Sequence, residues 1–168
     1  MIIQSQGIIL KVDSLKENGL IVKCFTKDYG KLSGFMRSPS KKLGFGLMPG
    51  NICALVWKAR LEEHLGRIEL EILENIFHKT QKFFCNNIVI YITAMLEMNF
   101  KEKARSQALY DLSQTILLNL EVIDKLRLVE FIFLFETELL NEMGYRLNLA
   151  ECAITCLLYT SPSPRDSI

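Results

Sequence analysis

Between residues 6 and 73, apolar and polar positions alternate with a period near two, the mark of strands with one buried face. Gly7-Ile8-Ile9-Leu10-Lys11-Val12 reads as a first strand, and Asp13 to Gly19 as a polar connection carrying the turn signal Asn18-Gly19. Leu20 to Thr26 reads as a second strand, rich in β-branched and aromatic residues. Lys27-Asp28-Tyr29-Gly30-Lys31 is a tight turn, with Gly30 free to take a positive φ, and Leu32 to Arg37 completes a meander. Ser38 to Gly50 breaks the alternation with Pro39, Gly44, Gly46, Pro49 and Gly50, and reads as a basic loop. In Asn51 to Leu61, Ile52, Ala54, Val56 and Lys58 alternate against Cys53, Leu55, Trp57 and Ala59. In Gly66 to Leu73, Ile68, Leu70 and Ile72 alternate against Arg67, Glu69 and Glu71. Five short strands in about 70 residues predict a small closed barrel of the OB type.

From Thr80 the spacing becomes helical. Phe84, Ile88, Tyr91, Ile92, Met95 and Leu96 follow i, i+4, i+7, i+8 and define the predicted inner face of a first helix. A second is expected over about Lys103 to Leu120, with Leu109, Leu112, Ile116, Leu117 and Leu120 inward. A third runs from Leu126 to Met143, capped by Asp124 and stopped by Gly144. Phe131, Phe133 and Phe135 make it apolar nearly all round, so it is expected at the centre of the helical part. The fold class expected is α+β: a barrel domain over 1–78, then an all-helical domain over 79–156. The segment 157–168, Leu157 to Ile168, lacks periodicity and continuity with what precedes it. It reads as translated adapter sequence, the alternative being a native disordered tail, and carries no fold argument.

Composition sharpens this in two ways. Residues 1–70 hold 11 Lys/Arg against 6 Asp/Glu, a net of +5, whereas 71–168 hold 9 against 13, a net of −4. A basic half joined to an acidic half points to an anionic partner for the first. The five cysteines are odd in number, and three sit in apolar runs, which reads as a reducing, cytoplasmic setting. No charged leader opens the chain, and the apolar stretch Leu126 to Phe135 is interrupted by Arg127 and Glu130, so no membrane partner is expected.

Signatures of catalysis are scarce, and the chain is read as a non-enzyme without cofactor. His64 sits in a polar hairpin tip, no phosphate-binding glycine loop follows a strand, and Gly44-Phe45-Gly46 lacks the Lys-Ser/Thr such a loop needs. A hydrolase would need His64 or His78 beside a nucleophile. Cys152 and Cys156 lack the second pair that a zinc site requires, so no metal is expected. The basic half suits a polyanion: cations neutralise phosphates and exposed rings stack on bases. Arg37, Lys41 and Lys42 form the densest cluster and are the first candidates for DNA contact, with Lys11, Lys23, Lys31, Arg60 and Arg67 as secondary contacts. Phe25, Phe35 and Trp57 lie within apolar strands and are assigned to the core, while Tyr29 and Phe45 in turn and loop remain candidates for base stacking.

Several segments together resemble the RecO family of DNA-repair and recombination mediators. They are Gly7-Ile8-Ile9-Leu10, Thr26 through Gly34, Arg37 with its basic loop and Leu47-Met48-Pro49-Gly50-Asn51, Trp57 through Gly66, and Phe135 through Tyr145 followed by Leu147-Asn148-Leu149 and Cys152-Ala153. The Trp57–Gly66 stretch is similar to the alphaproteobacterial branch. The resemblance covers about residues 5–155 and implies an OB-fold domain followed by a helical one. It further implies binding of single- and double-stranded DNA, annealing of complementary strands, and work with RecR to load RecA onto strands coated by single-stranded-DNA-binding protein. Two departures stand out: only Cys152 matches the first ligand of the four-cysteine zinc module many relatives carry, and relatives continue for several dozen residues, so the chain reads as truncated. The alternative reading is an adaptor that docks acidic protein tails.

Overall fold

A computed structural model describes residues 1–15, 19–37, 46–60, 65–79 and 82–145. The calls on Lys41, Lys42, Phe45, His64, Cys152, Cys156 and the tail 157–168 fall outside these residues. Five strands are described: β1 (Ile2–Leu15), β2 (Gly19–Thr26), β3 (Gly30–Arg37), β4 (Ile52–Lys58) and β5 (Gly66–Glu74). They close a barrel in the order β1-β2-β3-β5-β4, with β4 returning to β1. All pairings are antiparallel except the short parallel seam of β3 with β5, at Gly34↔Gly66 and Phe35↔Arg67. This is the five-stranded OB architecture expected from the alternation.

The first strand is longer than its apolar run. Ile2 to Gln6 pair with Lys58 to Ala54, and this pairing closes the barrel. The alternation of Ile3 inward with exposed Ile2 and Gln4 begins before Gly7. β1 also serves two cores. Ile9 points into the barrel beside Val22, Cys24, Leu55 and Trp57, whereas Ile8 and Leu10 join the helical core. Strand alternation alone puts Ile8 and Leu10 on one face and Ile9 on the other, and the register shift between Ile9 and Lys11 then brings Val12 onto the Ile9 side.

The helices are α1 (Ile76–Lys79), α2 (Phe83–Asn99), α3 (Gln107–Asn119) and α4 (Lys125–Glu142). Ser106 caps α3 by accepting from the Leu109 N–H at 3.1 Å, so that helix begins later than expected and 101–105 is left as an interdomain loop. The buried stripe of α2 is Cys85, Val89, Ile92, Thr93 and Leu96, one position on from the predicted face; Phe84 is exposed. Both stripes are apolar, and the barrel side chains Ile8, Phe25 and Ile52 select the one that packs. Asp124 caps α4 through the Arg127 N–H at 3.0 Å, and Gly144 follows its C-terminus at φ 90°. The expected central position of α4 is not found among the described residues. Leu128, Phe135 and Leu139 are buried, but Leu126, Val129, Phe133 and Leu134 are exposed. An all-round apolar helix can be covered on every side; here the described elements cover one.

Barrel and helices share a continuous junction. Phe25 leaves the outside of β2 and meets the Phe100 ring edge-on at 5.0 Å and the Tyr110 ring at 5.9 Å. Asn51, fully buried, donates to Gly46 O at 2.9 Å and to Asn75 Oδ1 at 3.2 Å, and its Oδ1 accepts from the Phe77 N–H at 3.1 Å. It thereby ties the start of β4 to the first helical turn.

Candidate nucleic-acid interface

Inward positions of β3 are Leu32, Gly34 and Met36, so Lys31, Ser33, Phe35 and Arg37 face outward. Phe35, assigned to the core from its apolar strand, is thus corrected: it is half-buried, belongs to neither core and stands on the outer surface. Its ring lies across Gly19, where a Cβ would sit 2.2 Å from Phe35 Cε2, so the strand opposite must present glycine there. Phe35 pairs with Arg67, and Arg67 with Lys58, in one cross-strand row over β3, β5 and β4. Arg37 stands two residues beyond Phe35 on the same face and is exposed. A half-buried ring is therefore flanked by Arg37 and Arg67, with Lys58 next in the row and exposed Arg60 just past the end of β4.

The local charge balance is positive. Glu69 serves both Lys58 at 3.6 Å and Arg67 at 3.8 Å, and all three side chains are about half exposed or more. Such solvated pairs are weak and give way readily to a phosphate. Among the described residues Arg37 and Arg60 make no ion pair. The surface changes sign farther along β5, where Glu69 and Glu71 border a shallow depression of about 590 Å³ together with Gln4, Gln6, Ala54 and Val56.

The other expected contacts are placed differently. Lys11 and Lys23 face each other across β1 and β2; Lys11 pairs with Asp13 at 3.2 Å, and Lys23 with Glu97 of α2 at 2.5 Å. The Glu97 hydrogen bond holds the Lys23 ammonium above the usual lysine range, and Lys23 in turn holds the Glu97 carboxyl low. Lys31 is buried and donates to Glu97 O at 2.8 Å, a carbonyl in the last turn of α2. There it meets the negative end of the helix, while burial lowers its pKa. These two lysines work at the barrel–helix junction.

Tyr29 sits in the β2–β3 turn, whose shape is set by Thr26: its Oγ1 donates to Gly30 O at 2.7 Å and accepts from the Tyr29 N–H at 3.1 Å. The Arg105 guanidinium lies 5.4 Å from the Tyr29 ring centroid. Sequence reading passed over Lys58 and Arg105 as contacts, the second because it lies in the acidic half. His78 is exposed beyond the barrel, and among the described residues no group of three or more His, Cys, Asp or Glu is arranged to hold a metal ion. No helix among them is long and apolar enough to cross a membrane.

Comparison with known proteins agrees with this architecture. Residues 1–76 match the family profile "Recombination protein O N terminal" and residues 82–156 match "Recombination protein O C terminal". The DNA repair protein RecO of Rickettsia typhi is 32% identical over 167 residues, covering 96% of this chain and 70% of that protein. Its counterpart from Rickettsia canadensis is 34% identical, covering 96% and 68%. That of Orientia tsutsugamushi is 36% identical over 174 residues, covering 98% and 70%. With both halves matched in order on a closed five-stranded barrel and its following helices, the chain belongs to the RecO family of DNA repair and recombination proteins.

Proposed function

We propose that this chain acts without covalent catalysis, as a mediator that binds single- and double-stranded DNA and anneals complementary strands. In this reading it works in the bacterial cytoplasm with RecR, and helps load RecA onto strands covered by single-stranded-DNA-binding protein. The observation that carries the reading is the row Phe35–Arg67–Lys58 with Arg37 beside it on the barrel's outer face. Two approaching strands repel through their phosphates, and a cationic surface that screens both lowers the cost of their encounter. Contacts of this kind go to the backbone and carry little sequence information. The half-buried Phe35 ring supplies an apolar platform between the two arginines, so a base can stack where the phosphates are held. Arg60 extends the contact, as do Lys41 and Lys42 in the basic stretch of sequence after Arg37, and Phe45 in that stretch is a second candidate for stacking. Lys11, opposite Lys23 and paired with Asp13, stands outside that row.

The test is annealing of two complementary oligonucleotides followed by energy transfer. The Arg37→Ala/Arg67→Ala chain is expected to anneal at least about tenfold more slowly, since each lost phosphate contact weakens binding in a salt-dependent way. Annealing at the unmodified chain's rate would reject this surface.

A further inference from the structure

The loop between α2 and α3 carries Lys101, Lys103 and Arg105 at every second position, and all three are exposed. Between them, Glu102 is drawn to the barrel. It forms a parallel bridge with Lys31, its carboxylate accepts from Ser33 Oγ at 2.6 Å, and the Lys103 N–H donates to Lys31 O at 2.9 Å. The loop meets β3 at this one bridge and then turns, with the Ala104 N–H donating to Lys101 O at 3.3 Å. Lys103 has φ 60°, a left-handed conformation that is uncommon outside glycine, asparagine and aspartate. Lys103 and Arg105 both line a cleft of about 40 Å³ at the barrel mouth, floored by Ile3, Leu32 and Trp57 and walled by Tyr29.

The same barrel end collects other positive charge. Exposed Arg60 follows the end of β4 that carries Trp57. Of the nearby acids, Asp28 accepts from Ser5 Oγ at 2.8 Å and Glu102 from Ser33 Oγ at 2.6 Å, both keeping their charge, while Asp111 pairs with Lys27 at 3.8 Å. A cleft of this size is too small for a nucleobase, but Arg105 is exposed over the Tyr29 ring and Lys103 lines the same cleft.

We propose that the Tyr29–Arg105 stack, with Lys101 and Lys103, is a second contact for single-stranded DNA: one base stacks on the guanidinium–phenol platform while the adjoining phosphates lie on the loop lysines. This proposal rests on the DNA-binding reading above and extends it from the barrel onto the interdomain loop. The strand then touches both domains, and the loop's bridge to β3 fixes the two contacts relative to each other.

The experiment titrates the full chain with a fifteen-residue thymidine oligonucleotide and with the same sugar-phosphate chain lacking its central bases, at several salt concentrations. Trp57, the one tryptophan, reports arrival at the cleft by its emission. Lys101→Ala/Arg105→Ala is expected to weaken binding of the intact oligonucleotide about five- to tenfold and to lower the salt slope by about 0.7, the value of one phosphate contact. Tyr29→Leu, which keeps an apolar side chain against the barrel, is expected to weaken the intact oligonucleotide about fivefold and the base-lacking one hardly at all. If loop and Tyr29 variants bind like the parent while Arg37→Ala/Arg67→Ala is weakened, the second contact is overturned and the barrel surface stands. If none of the variants loses affinity, both are overturned. Equal losses on the two oligonucleotides would overturn the stacking contact.

Discussion

The Lys23 ammonium and the Glu97 carboxylate meet at 2.5 Å across the junction between the barrel and α2, and Lys31 reaches the carbonyl of the same Glu97. One residue at the end of a helix therefore receives two strand lysines. This converts cations that the sequence offered as DNA contacts into the connection that orients the two domains.

Glu97→Gln is expected to lower stability by about 1 kcal/mol at neutral pH, the scale of a partly solvated ion pair. The pH dependence follows from the shifts. The Glu97 carboxyl is held low, so its contribution is present above the ordinary carboxylate range and is lost as pH falls through the lowered native value. Lys23 is held high, so its contribution is present below the ordinary lysine value and is lost as pH rises through the raised one. Urea unfolding from pH 3 to pH 11 checks both limbs: the difference between parent and variant is expected to be greatest near neutrality and to shrink at each end.

Asn51 is expected to be among the costliest polar residues to remove. Its side chain makes three hydrogen bonds, two given and one accepted, and has no solvent exposure. Asn51→Ala removes one donor from Gly46 O and one from Asn75 Oδ1, which keep the Met48 and His78 N–H groups, and takes the Asn51 acceptor from the Phe77 N–H, a loss of about 3 kcal/mol. Equilibrium urea denaturation followed by circular dichroism measures it.

Two glycines separate strain from crowding. Gly30 has φ 69° and would place a Cβ 1.7 Å from Ala104 O, whereas Gly144 has φ 90° with nothing within 4 Å. Gly144→Ala is expected to cost about 1 kcal/mol, the penalty of a left-handed alanine. Gly30→Ala is expected to cost several times more, because the interdomain loop must move off the turn. Thermal denaturation of the two variants side by side tests the contrast.

Much of the fold was legible because it rests on local signals. The alternation of Ile68, Leu70 and Ile72 found β5, Gly30 marked the hairpin turn, and Asp124 and Gly144 bounded α4. What escaped depends on register and on partners distant in sequence. Phe35 was placed in the core because its strand is apolar, but only the pairing with Arg67 tells which side of the pleat faces out. Lys23 and Lys31 read as solvated cations because Glu97 is 74 and 66 residues away. Arg105 carried no signal at all until the fold brought it over Tyr29.

Salt dependence of single-strand affinity tests the central claim most directly. Fluorescence anisotropy with a labelled oligonucleotide between 50 and 300 mM salt yields the slope of log affinity against log salt, at about 0.7 per phosphate contact on a single strand. Arg37→Ala/Arg67→Ala is predicted to weaken binding and to flatten that slope by about 1.4. A slope unchanged from the parent, with affinity intact, would contradict the assignment of the outer face of β3 and β5 to DNA.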